Sequence, residues 1–550
     1  PLMVFARRST TLLAAIIASC AMVLSLTACT SDNKTVVDGQ TTVTSNSAGG
    51  VAVFTPSDGI TLNQQTPLNK WAKLVPDLAK ALADAGFKKG DINHTTSDSL
   101  AKQSRAIQDF VVDHLSNNTT DDSGIAIAPD NMTLLVAPVV EADASTRQYG
   151  DYVSQNLSTN DVTDEGATSD GESSEDDSSK DDSSKDDSSN TESDSTASDE
   201  QAQAVDRLVS SLKLAKESGM HVVLLGNSIE GYKPDAFVKF SDAQTIGKLQ
   251  AEKMVSKLKL DKASKDNPKY IEVLLPYTAM DEKGNANDST FAQEAFRGIW
   301  QVLGSYYQKG VVESPSGTLD GKSTENDWQA VAYDAAKEGS TAKVLDKRLA
   351  KTDGQSTLTR IDGIITMNDY IASEVVKELD DLGYTGSAAD INPQITISGI
   401  VGNITGKKDL SRDAVPDPIK SPENDNANDS SSSDDDADED TSASDKDRDS
   451  QWPLVTGYGA YVSNIPSIVN GKQWMTGMED RQTIATDIAQ ACAKLNKDEA
   501  LNSMPSTRNS EVGGVKKIPT ISEPLLAVSA SNLKSALIDP GYISLADAGL

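Results

Sequence analysis

Catalysis in proteins draws on histidines, cysteines and grouped carboxylates, and in this chain of 550 residues those types are scattered. His94, His114 and His221 are the only histidines, and none sits at a ligand or general-base spacing from another. No nucleophile elbow, phosphate-binding glycine loop or metal-spaced cluster is present. The residues therefore point away from an enzyme, and no metal or cofactor is expected. Cys20, Cys29 and Cys492 are the only cysteines. Cys492 lies among Ile488, Ala489, Ala491 and Leu495, the surroundings of a packed thiol rather than a nucleophile.

Cys29 has a different context. Arg7 and Arg8 precede an uncharged apolar stretch from Leu12 to Leu26, which closes on Thr27, Ala28 and Cys29. That layout is a secretory signal, too short for a spanning helix. Leu26-Thr27-Ala28-Cys29 resembles the bacterial lipobox, whose cysteine is acylated and becomes the new N-terminus. Residues 1–28 are read as a signal peptide and 29–50, rich in Ser, Thr, Asp and Asn, as a flexible lipid-anchored tether. After such processing Cys492 stands alone, no disulfide can form, and the fold must rest on its core.

The formal net charge is −33, with much of it in two low-complexity runs. The first, 158–200, contains the repeat Asp176-Asp177-Ser178-Ser179-Lys180 and its near copies, and the second covers 421–449. Neither holds enough apolar area to offset chain entropy, so both are expected to be disordered insertions. They lack the glycine turn and ligand spacing of a calcium loop. So negative a chain is also a poor partner for nucleic acid.

Elsewhere short apolar segments alternate with amphipathic ones, the pattern of a mostly parallel α/β sheet flanked by helices. Strands are predicted at Val51–Phe54, Leu134–Val140 and His221–Leu225, and helices at Leu68–Ala85, Leu100–Leu115 and Ala204–Ser218. The alternation restarts with strands at Ile271–Leu275, near Val311, at Gly363–Met367 and at Gln394–Ile400. Helices are predicted at Phe291–Tyr307, Trp328–Arg348 and Ala372–Leu382. Two α/β lobes follow, 51–260 and 261–517, with 518–550 as a C-terminal crossing segment.

Four stretches carry a family resemblance. They are Phe240-Ser241-Asp242-Ala243-Gln244-Thr245-Ile246-Gly247-Lys248-Leu249-Gln250-Ala251, then Asp362 to Asp369, then Asn470 to Thr476, and last Ile518 to Val528 with Asn532-Leu533 and Gly541-Tyr542. In type and order they resemble the class I periplasmic sugar-binding proteins, and within them the xylose-type members. The resemblance implies the two-lobed periplasmic-binding-protein fold, a ligand held between lobes at the C-terminal ends of strands, and no catalysis. Matched position by position, it implies that Asn368 takes a hydroxyl, although an Asn there also suits a helix cap. Trp328 would form a stacking wall or pack a helix.

Three positions depart from the xylose-type pattern. Gly226-Asn227 stands where Asp-Arg is expected, Ile400-Val401 replaces Gln-Asp, and Met478-Glu479 replaces Tyr-Lys. Asn227, Asn403 and Glu479 are then the nearby residues left to meet a ligand, and xylose is a poor fit. The implied role is a monomeric lipoprotein at the extracytoplasmic face of the cell membrane, passing a sugar-like small molecule to an ABC-type permease. The alternative is a surface sensor or adhesion lipoprotein on the same fold. If Cys29 is the acylated residue, metabolic labelling with a clickable fatty acid marks the native chain and not Cys29→Ala; label retained by the variant removes the lipoprotein reading.

Overall fold

The structure, a computed structural model, describes residues 34–37, 40–43, 48–58, 67–117, 124, 126–140, 144–159, 192–281, 284–389 and 448–550. The chain divides into two units, Pro1–Asn46 and Ser47–Leu550. In the smaller one, β1 (Lys34–Val37) and β2 (Gln40–Val43) pair antiparallel. This corrects the reading of 29–50 as tether throughout: β-branched residues on both sides of an Asp38-Gly39 pair are a hairpin signal.

In the larger unit the chain builds a first lobe on β3 (Gly50–Pro56), β4 (Ile92–Ser97), β5 (Met132–Val136), β7 (His221–Leu225) and β9 (Ala236–Lys239). β6 (Asn156–Leu157) and β8 (Ser228–Ile229) form a separate short pair. β3, β5 and β7 are nearly continuous in Val, Leu, Ala and Phe because helices cover both faces of the sheet. β4 reads Ile-Asn-His-Thr-Thr-Ser, mostly exposed, as suits the edge strand it is. On one face α1 (Trp71–Asp84) buries Trp71, Leu74, Leu78 and Leu82, a stripe at helical spacing. On the other lie α2 (Leu100–Asn117) and α4 (Glu192–Glu217), with α3 (Ala144–Arg147) in the loop after β5. α4 starts twelve residues ahead of the predicted Ala204, inside the first acidic run, because extending a helix anchored by buried Ala204, Val205, Leu208 and Leu212 needs no new nucleus. The remainder of that run, 160–191, and nearly all of the second lie outside the described residues, as does the predicted strand Gln394–Ile400.

The second lobe carries the parallel sheet β12-β10-β14-β15, with β10 at Lys269–Val273, β12 at Val312–Glu313, β14 at Gly363–Ile365 and β15 at Leu454–Val455. β11 (Leu275–Pro276) and β13 (Ala332–Tyr333) pair in parallel beyond it. α5 (Ala243–Lys257) and α6 (Thr290–Gln308) cover one face, α7 (Ser340–Arg348) and α8 (Asp369–Leu382) the other. The predicted helix Trp328–Arg348 is corrected. Only its second half is α-helical, since β13 intervenes and Gly339 at φ 72° starts α7 afresh.

The predicted lobe boundary at 517 is corrected too. After the short helix α9 (Ile465–Val469) and strand β16 (Met475–Met478), α10 (Arg481–Leu495) packs Ile484, Ile488 and Cys492 against α1 in the first lobe. β17 (Thr507–Val512) and β18 (Val515–Ser522) then complete the first sheet, in the order β17-β18-β9-β7-β5-β3-β4. Finally β19 (Leu526–Ser529) returns to pair antiparallel with β16. An apolar helical stripe announces burial without saying against which lobe. The chain thus passes between lobes three times, at residues 240–242, 479–480 and 523–525.

α5, the first helix beyond the first passage, meets α6 backbone to backbone. A Cβ on Gly298 would lie 2.0 Å from the Gln244 carbonyl oxygen, and one on Gly247 2.2 Å from that of Ala295. Gly298→Ala should therefore push the helices apart and cost about 1–3 kcal/mol, read as a lower midpoint in urea unfolding; an unchanged midpoint would show the crossing to be looser than this.

Candidate functional site

Strand C-terminal ends from the second lobe face a first-lobe loop across a cavity of about 580 Å³. β11 and β13 run parallel, so their ends deliver Tyr277, Thr278 and Asp334 side by side. Tyr277 N donates to Tyr333 O at 2.9 Å, and Thr278 Oγ donates to Asp334 Oδ1 at 2.9 Å. Asn287 Nδ2 donates to Thr278 O at 2.8 Å, while Tyr277 OH donates to Asn287 O at 3.1 Å, which ties the next loop to the strand end. Asp288 Oδ1 accepts from Thr290 N at 2.9 Å at the start of α6, whose first turn adds Phe291. From the first lobe come Ser145, on α3, and Gln148 just after it.

The lining thus holds two aromatic rings, Tyr277 and Phe291, apolar surface from Pro276 and Met280, and charged side chains from Asp281, Asp288, Asp334 and Lys337. The rings are braced from behind. Trp328 meets Tyr277 edge-on at 5.1 Å, and Tyr149 lies 4.7 Å from Phe291.

Gln148 also joins the lobes. Its Oε1 accepts from Asn368 Nδ2 at 3.1 Å and its carbonyl oxygen from Tyr461 OH at 2.7 Å. Both donors follow residues in the left-handed region, Met367 at φ 70° and Ala460 at φ 50°, a conformation that non-glycine residues adopt at a cost and that turns the chain sharply at each strand end. The turn at Ala460 is held by Asp369, fully buried, which accepts from Tyr461 N at 2.9 Å, Gln473 Nε2 at 2.8 Å and Thr476 Oγ at 2.9 Å. Burial pushes this carboxyl up to about 6, against the pull of those donors.

The site residues expected from sequence are dispersed. Asn368 caps α8, its Oδ1 accepting from Ile371 N at 2.9 Å, and with Nδ2 on Gln148 it is a latch beside the cavity rather than part of its wall. Trp328 stands one layer back, behind Tyr277. Asn227 lies away from the cavity lining: its Oδ1 accepts from Gln155 N and its Nδ2 donates to Pro138 O, both at 3.0 Å, so its amide is bonded to backbone at a buried strand end. Glu479 likewise is buried at the second passage between lobes and is not among the residues that line the cavity. Asn403 lies outside the described residues.

Residues that line the cavity but escaped the sequence reading include Ser145, Gln148, Tyr277, Thr278, Asn287, Asp288 and Asp334. A signal existed for Tyr277 and Thr278, which follow the predicted strand Ile271–Leu275 one residue on, after Pro276. Asp334 follows a strand that the sequence reading had absorbed into a helix.

No protein-family model and no curated protein matches the chain. Among solved structures it is similar to an ABC transporter solute-binding protein from Clostridium phytofermentans with bound β-D-glucose, at 17% identity over 90% of this chain and 99% of that one, with a TM-score of 0.43. A carbohydrate transporter solute-binding protein from Chloroflexus aurantiacus in complex with D-glucose shares 18% identity over 92% and 98% of the two chains, also at 0.43. One from Bacillus halodurans with bound myo-inositol shares 11% over 89% and 98%, at 0.35. Likeness at this level assigns neither a family nor a ligand to the chain.

Asn368→Ala removes a cap and a bond between lobes together, and should cost about 1–3 kcal/mol in denaturant unfolding. Gln148→Ala leaves the cap in place and loses only the side-chain bond between lobes, so it should cost roughly half of that or less. Equal losses in both variants would mean that the cap contributes nothing.

Proposed function

We propose that this chain is an extracytoplasmic solute-binding protein that encloses a small, neutral, polyhydroxy molecule such as a sugar or polyol between its lobes and delivers it to an ABC-type importer. The observation that carries the reading is the cavity itself. It lies where strand ends of one lobe face a loop of the other, and it pairs two braced aromatic rings with hydroxyl, amide and carboxylate groups. Aromatic faces suit the C–H surface of a sugar ring, and hydrogen-bonding groups of both senses suit its hydroxyls. The volume is in the range of single-ligand pockets.

Closure over the ligand would exploit the Gln148 contacts, which can form only when the lobes are together. Anchorage through Cys29 would keep the domain beside the importer, and among the described residues no helix is long and apolar enough to cross a membrane. Ser145, Gln148, Tyr277, Thr278, Asn287 and Asp334 are the residues we assign to the ligand, in place of those taken from the family pattern.

Thermal-shift screening against sugars, polyols and nucleosides, followed by calorimetry on the hits, tests this directly. A ligand with a micromolar Kd is expected, and Tyr277→Ala should weaken it by about tenfold or more. Xylose should be a poor member of the panel. If nothing in the panel raises the melting temperature, or if Tyr277→Ala binds as tightly as the native chain, this assignment of the cavity is wrong.

A further inference from the structure

Where the first two passages between lobes meet, a carboxyl group is buried. Ser241 Oγ, in the first passage, donates to Glu479 Oε1 at 2.5 Å, and the Tyr458 hydroxyl, from the loop after β15 of the second lobe, donates to the same oxygen. Glu479 is 1% exposed. Its Oε2 is buried without a hydrogen-bond partner, and so is Nδ2 of Asn69 in the first lobe. The second passage is thus pinned to the first passage and to the second lobe through one oxygen, with the other left over.

No cation is bonded to this carboxyl among the described residues. Arg481, two positions on, is committed to Asp77 at 2.6 Å and to the Leu68 carbonyl at 3.2 Å, and Lys70 to Asp151 at 3.1 Å. The titratable groups that share its surroundings, Tyr458 bonded to it, Tyr152 of the first lobe and Asp242 of the first passage, bring no positive charge to it. Burial without a cation favours the neutral acid more than water would, against the pull of the two hydroxyl donors.

We propose that Glu479 is a proton-operated control on lobe closure. As the neutral acid it lets the passages pack dry, so that the lobes can close over the cavity. As the carboxylate it favours an arrangement in which water reaches the hinge and the lobes part. The proposal rests on the reading of the cavity as a ligand site that closes.

Burial pushes the Glu479 carboxyl up to about 7, even though the Ser241 and Tyr458 hydroxyls favour its charged form. The closed state therefore holds a proton that an opened, hydrated carboxyl with the ordinary value of 4.5 has released. Closure is fully favoured below about 4.5, weakens as the pH rises from there to about 7, and changes little above that. Ligand would be held more tightly on the acid side and released more readily towards neutrality.

Hydrogen exchange of the full chain without ligand, at pH 6 and pH 8 and corrected for the intrinsic pH dependence of exchange, reads opening at the passages themselves. Peptides covering 239–243, 456–461 and 477–481 should lose about tenfold in protection between the two pH values. Glu479→Gln, which mimics the neutral acid, should keep its protection at both. Protection that is independent of pH in the native chain, or that falls equally in Glu479→Gln, overturns the proposal. Should Glu479→Gln not fold, Tyr458→Phe replaces it: loss of a donor that favours the carboxylate should move the midpoint of the transition upward by about one pH unit, which a merely structural contact would not do, and an unmoved midpoint overturns the proposal. Because no ligand is present, this outcome stands apart from the binding panel, which tests the cavity alone.

Discussion

Three passages of backbone between two sheets impose the constraint on which the rest of the structure depends. Ser241 and Glu479, in the first two passages, are shut away from water, so their polar groups must find partners within the protein. Ser241, Tyr458 and Glu479 do so across two passages and a second-lobe loop, with a hydroxyl from each side meeting one carboxyl oxygen. This contact sets the position of one lobe against the other, because α5 leaves the first passage and α10 leaves the second, each committed to a different lobe by its own apolar stripe.

The cavity follows from the same arrangement. Parallel strands in both lobes bring their C-terminal ends towards the interface, where loops need not continue a ladder and are free to present side chains. Those loops are far from slack. Asp369 gathers three donors to hold the turn at Ala460, Met367 takes a left-handed backbone conformation immediately before Asn368, and both turns aim at Gln148. Strain stored at strand ends is sustained by a buried hydrogen-bond network, which is why a ligand could find its wall already built.

Much of the fold was legible in the sequence. β3, β5 and β7 read as apolar runs, and α1, α2 and α6 as amphipathic stripes with ends within about three residues of those observed. The errors have a common cause. β13 has two residues and makes its ladder with β11, β4 is polar because it is an edge, and α10 carries a stripe that fits either lobe. Each is decided by what lies opposite in space, which no local pattern encodes. The candidate site was less legible still. Asn227, Asn368 and Glu479 were picked by position relative to a family pattern, yet Asn227 and Asn368 spend their polar atoms within the protein and Glu479 is enclosed with only one oxygen bonded.

By itself the sequence determined that short apolar runs alternate with amphipathic helical stripes, and that the histidines and cysteines are few and far apart in the chain. Those are properties of composition and period, which survive without knowledge of neighbours. Only the tertiary structure decided that α10, β17 and β18 belong to the first lobe, that Tyr277 and Asp334 stand together on adjacent strand ends, and that Glu479 is enclosed at the hinge. The physical reason is that hydrogen-bond partners and loss of solvent are pairwise properties, fixed between residues such as Ser241 and Glu479 that stand 238 positions apart in the chain.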